Sequence, residues 1–210
     1  MDRKTEIVVA AGIIFLAGGL YYVREGSSRH TVSPSNSDNE QIVSLLADAE
    51  KTLSIGQRSQ TSSCHVRGPF PDPACTPGAI FPDATLAEIC VPGYTARVRN
   101  VSAKTKNLVY EEYGFSYPQP PGAFEADHLI PLELGGSNDI ANLFPEAALP
   151  VPGFHEKDLV ENYLHGEACA GRVPLDAAQK QIANDWLAVY QALTPDELAA
   201  LRAQAQRFGD

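Results

Sequence analysis

The sequence predicts an α+β fold in which two short strands and a following helix are embedded in a mainly helical domain, behind an irregular, disulfide-pinned segment. Three observations predict it. Two short β-prone runs flank a Gly135-Gly136 turn, helical apolar periods fill most of the chain after Gly153, and four cysteines accompany a stretch dense in Pro and Gly. At 210 residues the chain has room for one sizeable domain and its tails.

The elements follow in order. Ile7 to Val23 is apolar and uncharged, with Arg3 and Lys4 before it and Arg24 after it. It is slightly short for a membrane span and slightly long for the apolar region of a signal peptide. Residues 1–25 are therefore expected to be a membrane anchor or a cleaved signal, with a buried helix as the third possibility. Either of the first two places the domain outside the cytoplasm, membrane-anchored through residues 7–23 or secreted, and the positive flank agrees. Residues 26–63 read as a polar linker carrying one short helix at 42–53.

Residues 64–96 form the Pro/Gly-rich segment, with a helical turn at Ala84 to Ile89. Cys64, Cys75, Cys90 and Cys169 are even in number and include no CxxC pair, so they suit disulfides rather than a zinc knuckle. Of three connectivities, the expected one joins Cys64 to Cys75 and Cys90 to Cys169; four buried thiols are the alternative.

Residues 97–210 make up the main domain. A short strand is expected around Val98, with Arg97 and Arg99 on one face of it. Ser102 caps a helix over Ala103 to Tyr113 that Gly114 closes, with Leu108, Val109 and Tyr113 on its core side. Phe124 to Leu129 reads as a strand, Pro131 to Asp139 as a loop and Ile140 to Phe144 as a second strand. Helices follow at Phe154 to Glu167, with Leu159, Val160, Tyr163 and Leu164 apolar, and from Leu175 to Gln191, with Trp186 in the core. Thr194, Pro195 and Glu197 supply the cap, first-turn proline and third-position acid of a last helix.

Asp127-His128 ends the first strand, Asn142 follows fourteen residues after the histidine, and Asp158, Asn162 and His165 share one polar helix face. Aspartate supplies a hard oxygen, histidine a base that titrates near neutrality, and asparagine an amide that can fix a loop. That set suits metal-assisted attack of water on a phosphodiester.

Between Arg97 and Tyr190 these residues resemble the HNH, or His-Me finger, endonucleases, in an extracytoplasmic branch lacking zinc-binding Cys pairs. The matching pieces are Asp127-His128-Leu129-Ile130-Pro131-Leu132 with Gly135-Gly136, Asn142-Leu143, Lys157-Asp158, and Glu161-Asn162-Tyr163-Leu164-His165. Flanking pieces are Cys75-Thr76-Pro77-Gly78, Ile89-Cys90-Val91-Pro92-Gly93-Tyr94 and Ala168-Cys169-Ala170-Gly171. The resemblance implies a ββα-metal finger and a metal-dependent hydrolysis of nucleic-acid phosphodiesters. It implies His128 as general base, Asn142 as the residue that holds the loop and orients the histidine, and Asp127 and Asn162 as ligands of one divalent ion, Mg²⁺ by preference. Asp158, Glu161 and His165 are further candidates for the site, because a longer insertion separates Asn142 from the helix.

DNA is the favoured substrate, cleaved without sequence preference, since no basic arm or reading module is visible and the formal charge is −10. Arg97 and Arg99 are candidates to grip its backbone. The alternatives are an inactive finger-fold ectodomain acting as a binding module, and an RNA-directed nuclease. Any protein partner or inhibitor is unidentified from the sequence.

Overall fold

Residues 57–208 are described in a computed structural model of the protein, where helices surround one antiparallel pair of strands in an α+β arrangement. The apolar run at 7–23 and the helix expected at 42–53 lie outside the described residues. Among the described residues no helix is long and apolar enough to cross a membrane.

Two disulfides, Cys64–Cys75 and Cys90–Cys169, leave no free cysteine among the described residues. The first closes an irregular loop, and the second ties the end of a short helix, α1 (Leu86–Ile89), to the end of a helix that follows the strands. Thr85 and Glu88 form the capping box of α1. Gly93, in the left-handed region at φ 81°, then opens α2 (Tyr94–Val98). The strand expected around Val98 is thus a helix, because the turn places Tyr94 in the core and the Arg99 amide closes onto the Thr95 carbonyl at 2.9 Å. Arg97 and Arg99 consequently do not share a strand face.

Helix α3 (Ala103–Glu112) starts where Ser102 accepts from the Thr105 amide at 3.1 Å. Val109, Tyr110 and Tyr113 are its buried side; Leu108, expected there, is 43% exposed. Strand β1 (Phe124–His128) pairs with β2 (Leu143–Ala147) in the register Phe124 to Ala147 and His128 to Leu143. The second strand starts three residues later than the sequence suggests. The Asp139 carboxylate accepts from the Ala141 amide at 2.8 Å and curls Ile140–Asn142 into a 3₁₀ turn, so the chain extends only from Leu143.

Helices α4 (Phe154–Cys169), α5 (Leu175–Ala192) and α6 (Pro195–Phe208) complete the chain. Helix α5 is broken in geometry at Asp185. At the start of α6 Thr194 and Glu197 make the expected reciprocal bonds. After β1, alternation sends neighbouring residues to opposite cores. Leu129 joins Phe144, Tyr113 and the Cys64–Cys75 disulfide, while Ile130 joins Leu134, Val160, Leu164, Ile182 and Trp186.

The loop between the strands is held by the Pro/Gly-rich segment. The Gly78 amide donates to Ala141, Phe81 to Gly135, and Ser137 back to Ala79, so Ile80 and Gly136 form a bridge. A Cβ at Gly136 would lie 1.7 Å from the Ile130 carbonyl oxygen, so this position admits glycine alone. Gly136→Ala should therefore destabilise the domain by at least about 2 kcal/mol in chemical denaturation, as backbone and not a flexible side chain must move; a wild-type midpoint would show that the loop relaxes freely.

Candidate active site

Asn142 sits in the 3₁₀ turn between the strands with no exposed surface. Its amide oxygen accepts from the Ile130 and Ala79 amides at 3.0 and 3.3 Å, and its amide nitrogen donates to the Ile130 and Ser137 carbonyls at 2.8 and 2.9 Å. All its polar capacity goes to backbone. These bonds tie the loop to Ile130 and Ala79, and none of them goes to the His128 ring.

Asn138 meets that ring. Its Nδ2 donates to the Val98 carbonyl at 2.7 Å, and its Oδ1 accepts from the Asn100 amide at 3.1 Å, which fixes which end of the amide faces inward. The same Oδ1 lies 3.3 Å from His128 Nε2. An oxygen there requires Nε2 to carry the hydrogen, so the lone pair of the neutral ring is on Nδ1. The sequence held one signal for Asn138: a polar amide directly after the tight Gly-Gly-Ser turn, ten residues from the histidine.

His128 is 2% exposed. Burial, reinforced by the Arg99 and Lys157 charges and opposed by Asp127 and Asn138, lowers its imidazole to about 4. The ring is neutral at pH 7.

By sequence alone Lys157 and Glu161, four residues apart on one helix, make an i, i+4 ion pair by default. In the fold the Lys157 ammonium is fully buried and is the meeting point of all three elements. It donates to Asp127 Oδ2 at 2.6 Å and to the His128 carbonyl at 2.8 Å on β1, and to Glu161 on α4. Glu146 on β2 lies 3.6 Å away. Burial alone would lower the ammonium, but Asp127, Glu161 and Glu146 outweigh it and hold it well above its ordinary value. Burial likewise works against the Asp127 carboxylate, yet Lys157 prevails and holds it at about 2. For Glu146 and Glu161 burial wins, aided by the neighbouring Asp127 charge, and both carboxyls are pushed well above the usual range.

Next to this cluster lies a cavity of about 290 Å³, walled by Arg99 and Glu125 on one side and by Glu133, Asp158, Glu161 and Asn162 on the other. The Asn162 amide nitrogen donates to the Asp158 carbonyl at 2.9 Å, so its oxygen is the atom left to meet a cation. Of the expected polar face, Asp158 and Asn162 thus reach the cavity. His165 does not: it stands beside Cys90 and Cys169 at the far end of α4, near the Ile89 backbone. These three are the one group among the described residues that brings three ligand-type atoms within 4.8 Å, and both sulfurs belong to the disulfide. Arg97 leans on the Tyr94 ring at 5.8 Å, away from the cavity, whereas Arg99 lines it. Glu133, Asn138, Glu146 and the central role of Lys157 are the site features that the sequence reading missed.

The chain matches no protein-family model, no curated protein and no solved structure.

Lys157→Met strands buried carboxyls without their cation and should destabilise the protein by about 3–5 kcal/mol at pH 7. A carboxyl whose folded value lies above its unfolded one loses stability as pH rises, so the deficit should shrink as pH falls from 7 to 5. Urea denaturation at both pH values measures it; an equal deficit would mean that the charges of Glu146 and Glu161 do not matter. The His128 ring resonances should titrate near pH 4 by NMR rather than near 6.5. Because the unfolded chain binds that proton first, His128 should cost stability as pH falls from 6.5 toward 4, a loss absent from His128→Gln.

Proposed function

We propose that the protein is a metal-dependent endonuclease hydrolysing nucleic-acid phosphodiesters, DNA by preference and without sequence specificity, and that β1, its loop, β2 and α4 form a ββα-metal finger. One observation carries the reading. The Asp127-His128 end of β1 is tied through the Lys157 ammonium to Glu161, which lines a cavity walled with oxygen donors, and the histidine is neutral with its tautomer fixed.

His128 is the general base in this reading. Its Nδ1 takes a proton from water, the water oxygen bonds to phosphorus, and the P–O3′ bond breaks with the electron pair leaving on oxygen. Asn138 positions the ring and Asn142 positions the loop beneath it. In oxygen chemistry the donors suit a hard divalent cation such as Mg²⁺, and Asp158, Glu161, Glu133 and the Asn162 oxygen are the groups that would hold it, after drawing together, since the three carboxylates do not lie within 4.8 Å of one another. Bound there, the ion would neutralise charge on the phosphate and on the leaving oxygen. Asp127, the first ligand implied by the resemblance, is engaged by Lys157, so its contribution is to anchor that ammonium unless the ion displaces it.

The competing reading is a finger-fold binding module without catalysis, favoured by the depth of His128 and by an ammonium already seated among the carboxyls. Incubating the full chain in detergent with supercoiled plasmid and Mg²⁺ decides between them. Nicking that EDTA stops and that His128→Gln lowers by at least about 100-fold is the expected result. Intact plasmid with Mg²⁺, Mn²⁺ and Ca²⁺ alike would overturn the enzyme reading, and a parallel structured RNA shows which nucleic acid is preferred.

A further inference from the structure

Beside the acidic cavity, and sharing Arg99 and Glu125 with it, runs a second groove of about 340 Å³. Arg99 and Lys106 line it, together with Tyr110, Tyr117, the proline loop that starts at Pro118, and Asp127. Tyr110 and Tyr117 stack with ring centroids 5.4 Å apart and planes 27° apart. Tyr110 is 3% exposed and backs the pair from the core, whereas Tyr117 is 42% exposed. A ring stacked on one face only, held by a loop of three prolines and one glutamine at 118–121, keeps its other face available. Hydrophobic burial does not account for that placement, because Tyr117 leaves much of its surface in water. Lys106 lies one helical turn before Tyr110 on α3, so cation and aromatic pair stand on the same side of the helix. The groove carries two exposed cations, Arg99 and Lys106, against the carboxylates Glu125 and Asp127, and Asp127 is already engaged by Lys157.

Phosphate contacts from Lys or Arg alternating with an aromatic platform are the pattern that binds single strands, since every base has a stacking face. In a duplex those faces are already covered by neighbouring bases, so a platform of this kind takes a base that has left the stack. We propose that this groove is the substrate-strand subsite: Arg99 and Lys106 hold backbone phosphates, Tyr117 stacks an unpaired base, and the strand then passes Arg99 into the acidic cavity. The substrate class is accordingly nucleic acid with unpaired nucleotides (single strands, gaps or flaps). The assignment rests on the nuclease reading for the kind of ligand, and Tyr117 acts in binding, not in the chemical step.

The test is fluorescence anisotropy of the full chain in detergent with EDTA present, so that binding is read without cleavage. The probes are a fluorescein-labelled oligodeoxythymidine, a blunt duplex of the same length and an abasic strand with the same phosphates. The single strand should bind at least about tenfold tighter than the duplex, and the abasic strand should lose at least about fivefold. Tyr117→Ala, and Tyr117→Leu as a bulkier variant without a π face, should each lose at least about fivefold on the single strand and nothing on the abasic one, while Tyr117→Phe keeps wild-type affinity. Lys106→Ala should reduce the slope of log K against log salt by about 0.7. Wild-type binding by folded Tyr117→Leu, or equal affinity for duplex and single strand, would overturn the subsite. Cleavage assays separate the two ideas. Tyr117-dependent binding with no cleavage under any metal removes the nuclease and leaves the subsite, and cleavage with a strand preference that Tyr117→Leu does not change removes the subsite and leaves the nuclease.

Discussion

The Lys157 ammonium joins β1, β2 and α4 at one nitrogen, and the geometry of the site depends on that junction. A lone ammonium at full burial would be driven toward its neutral form. Here it stays charged because its hydrogens go to Asp127, the His128 carbonyl and Glu161, with Glu146 close by. The bond to the His128 carbonyl fixes the backbone of the proposed base directly. Three carboxyls around one ammonium also cannot all stay ionised. The division that follows, with Asp127 strongly acidic and Glu146 and Glu161 displaced upward, is set by which oxygen reaches the nitrogen and which is merely buried near it.

Asn142 does for the loop what Lys157 does for the helix. Its four backbone bonds replace ladder partners that a 3₁₀ turn cannot supply, and they hold Ile130 so that His128 ends β1 facing Asn138. Gly136 completes the arrangement by letting the loop backbone pass against the Ile130 carbonyl. The segment at 78–81 closes the other side. The irregular, disulfide-bearing region is therefore part of the support of the site, which its Pro and Gly content alone does not convey.

Much of this was legible in the sequence where a local rule has one outcome. Ser102 before a helical period, Thr194-Pro195 with Glu197, and Gly114 after Tyr113 mark helix ends through backbone bonds that nearby side chains can satisfy. Asp127 and His128 were legible as the end of a β-prone run and Asn142 as an amide in the segment after the Gly-Gly turn, whereas their grouping into one site came from the resemblance. What was not legible depends on partners distant in sequence. Lys157 reads as an i, i+4 partner until β1 and β2 arrive beside it. Val98 reads as β-prone until Tyr94 finds a core to enter. Asn138 and Asn142 are both loop amides, and only the folded positions of Val98 and Ile130 tell which one meets the imidazole. His165 shares a helix face with Asp158 and Asn162, but the Cys90–Cys169 bridge sets the end of α4 against α1, and the face diverges from the cavity over its last turn.

The charge distribution has a consequence for how a polyanion would enter. The cavity wall carries Glu133 and Asp158, which repel phosphate unless a cation intervenes, while the neighbouring groove carries Arg99 and Lys106 beside Glu125 and Asp127. Arg99 belongs to both. A strand attracted to the groove meets its last cation at the threshold of the acidic cavity, beside the Asp127-His128 end of β1. Beyond that point every approach of phosphate to the cavity wall works against like charge. Proximity to the proposed base and the need for a divalent ion thus arise at the same place, and the low overall basicity of the chain ceases to argue against a nucleic-acid substrate: attraction is confined to one short groove, where it selects a path into the site without holding the product.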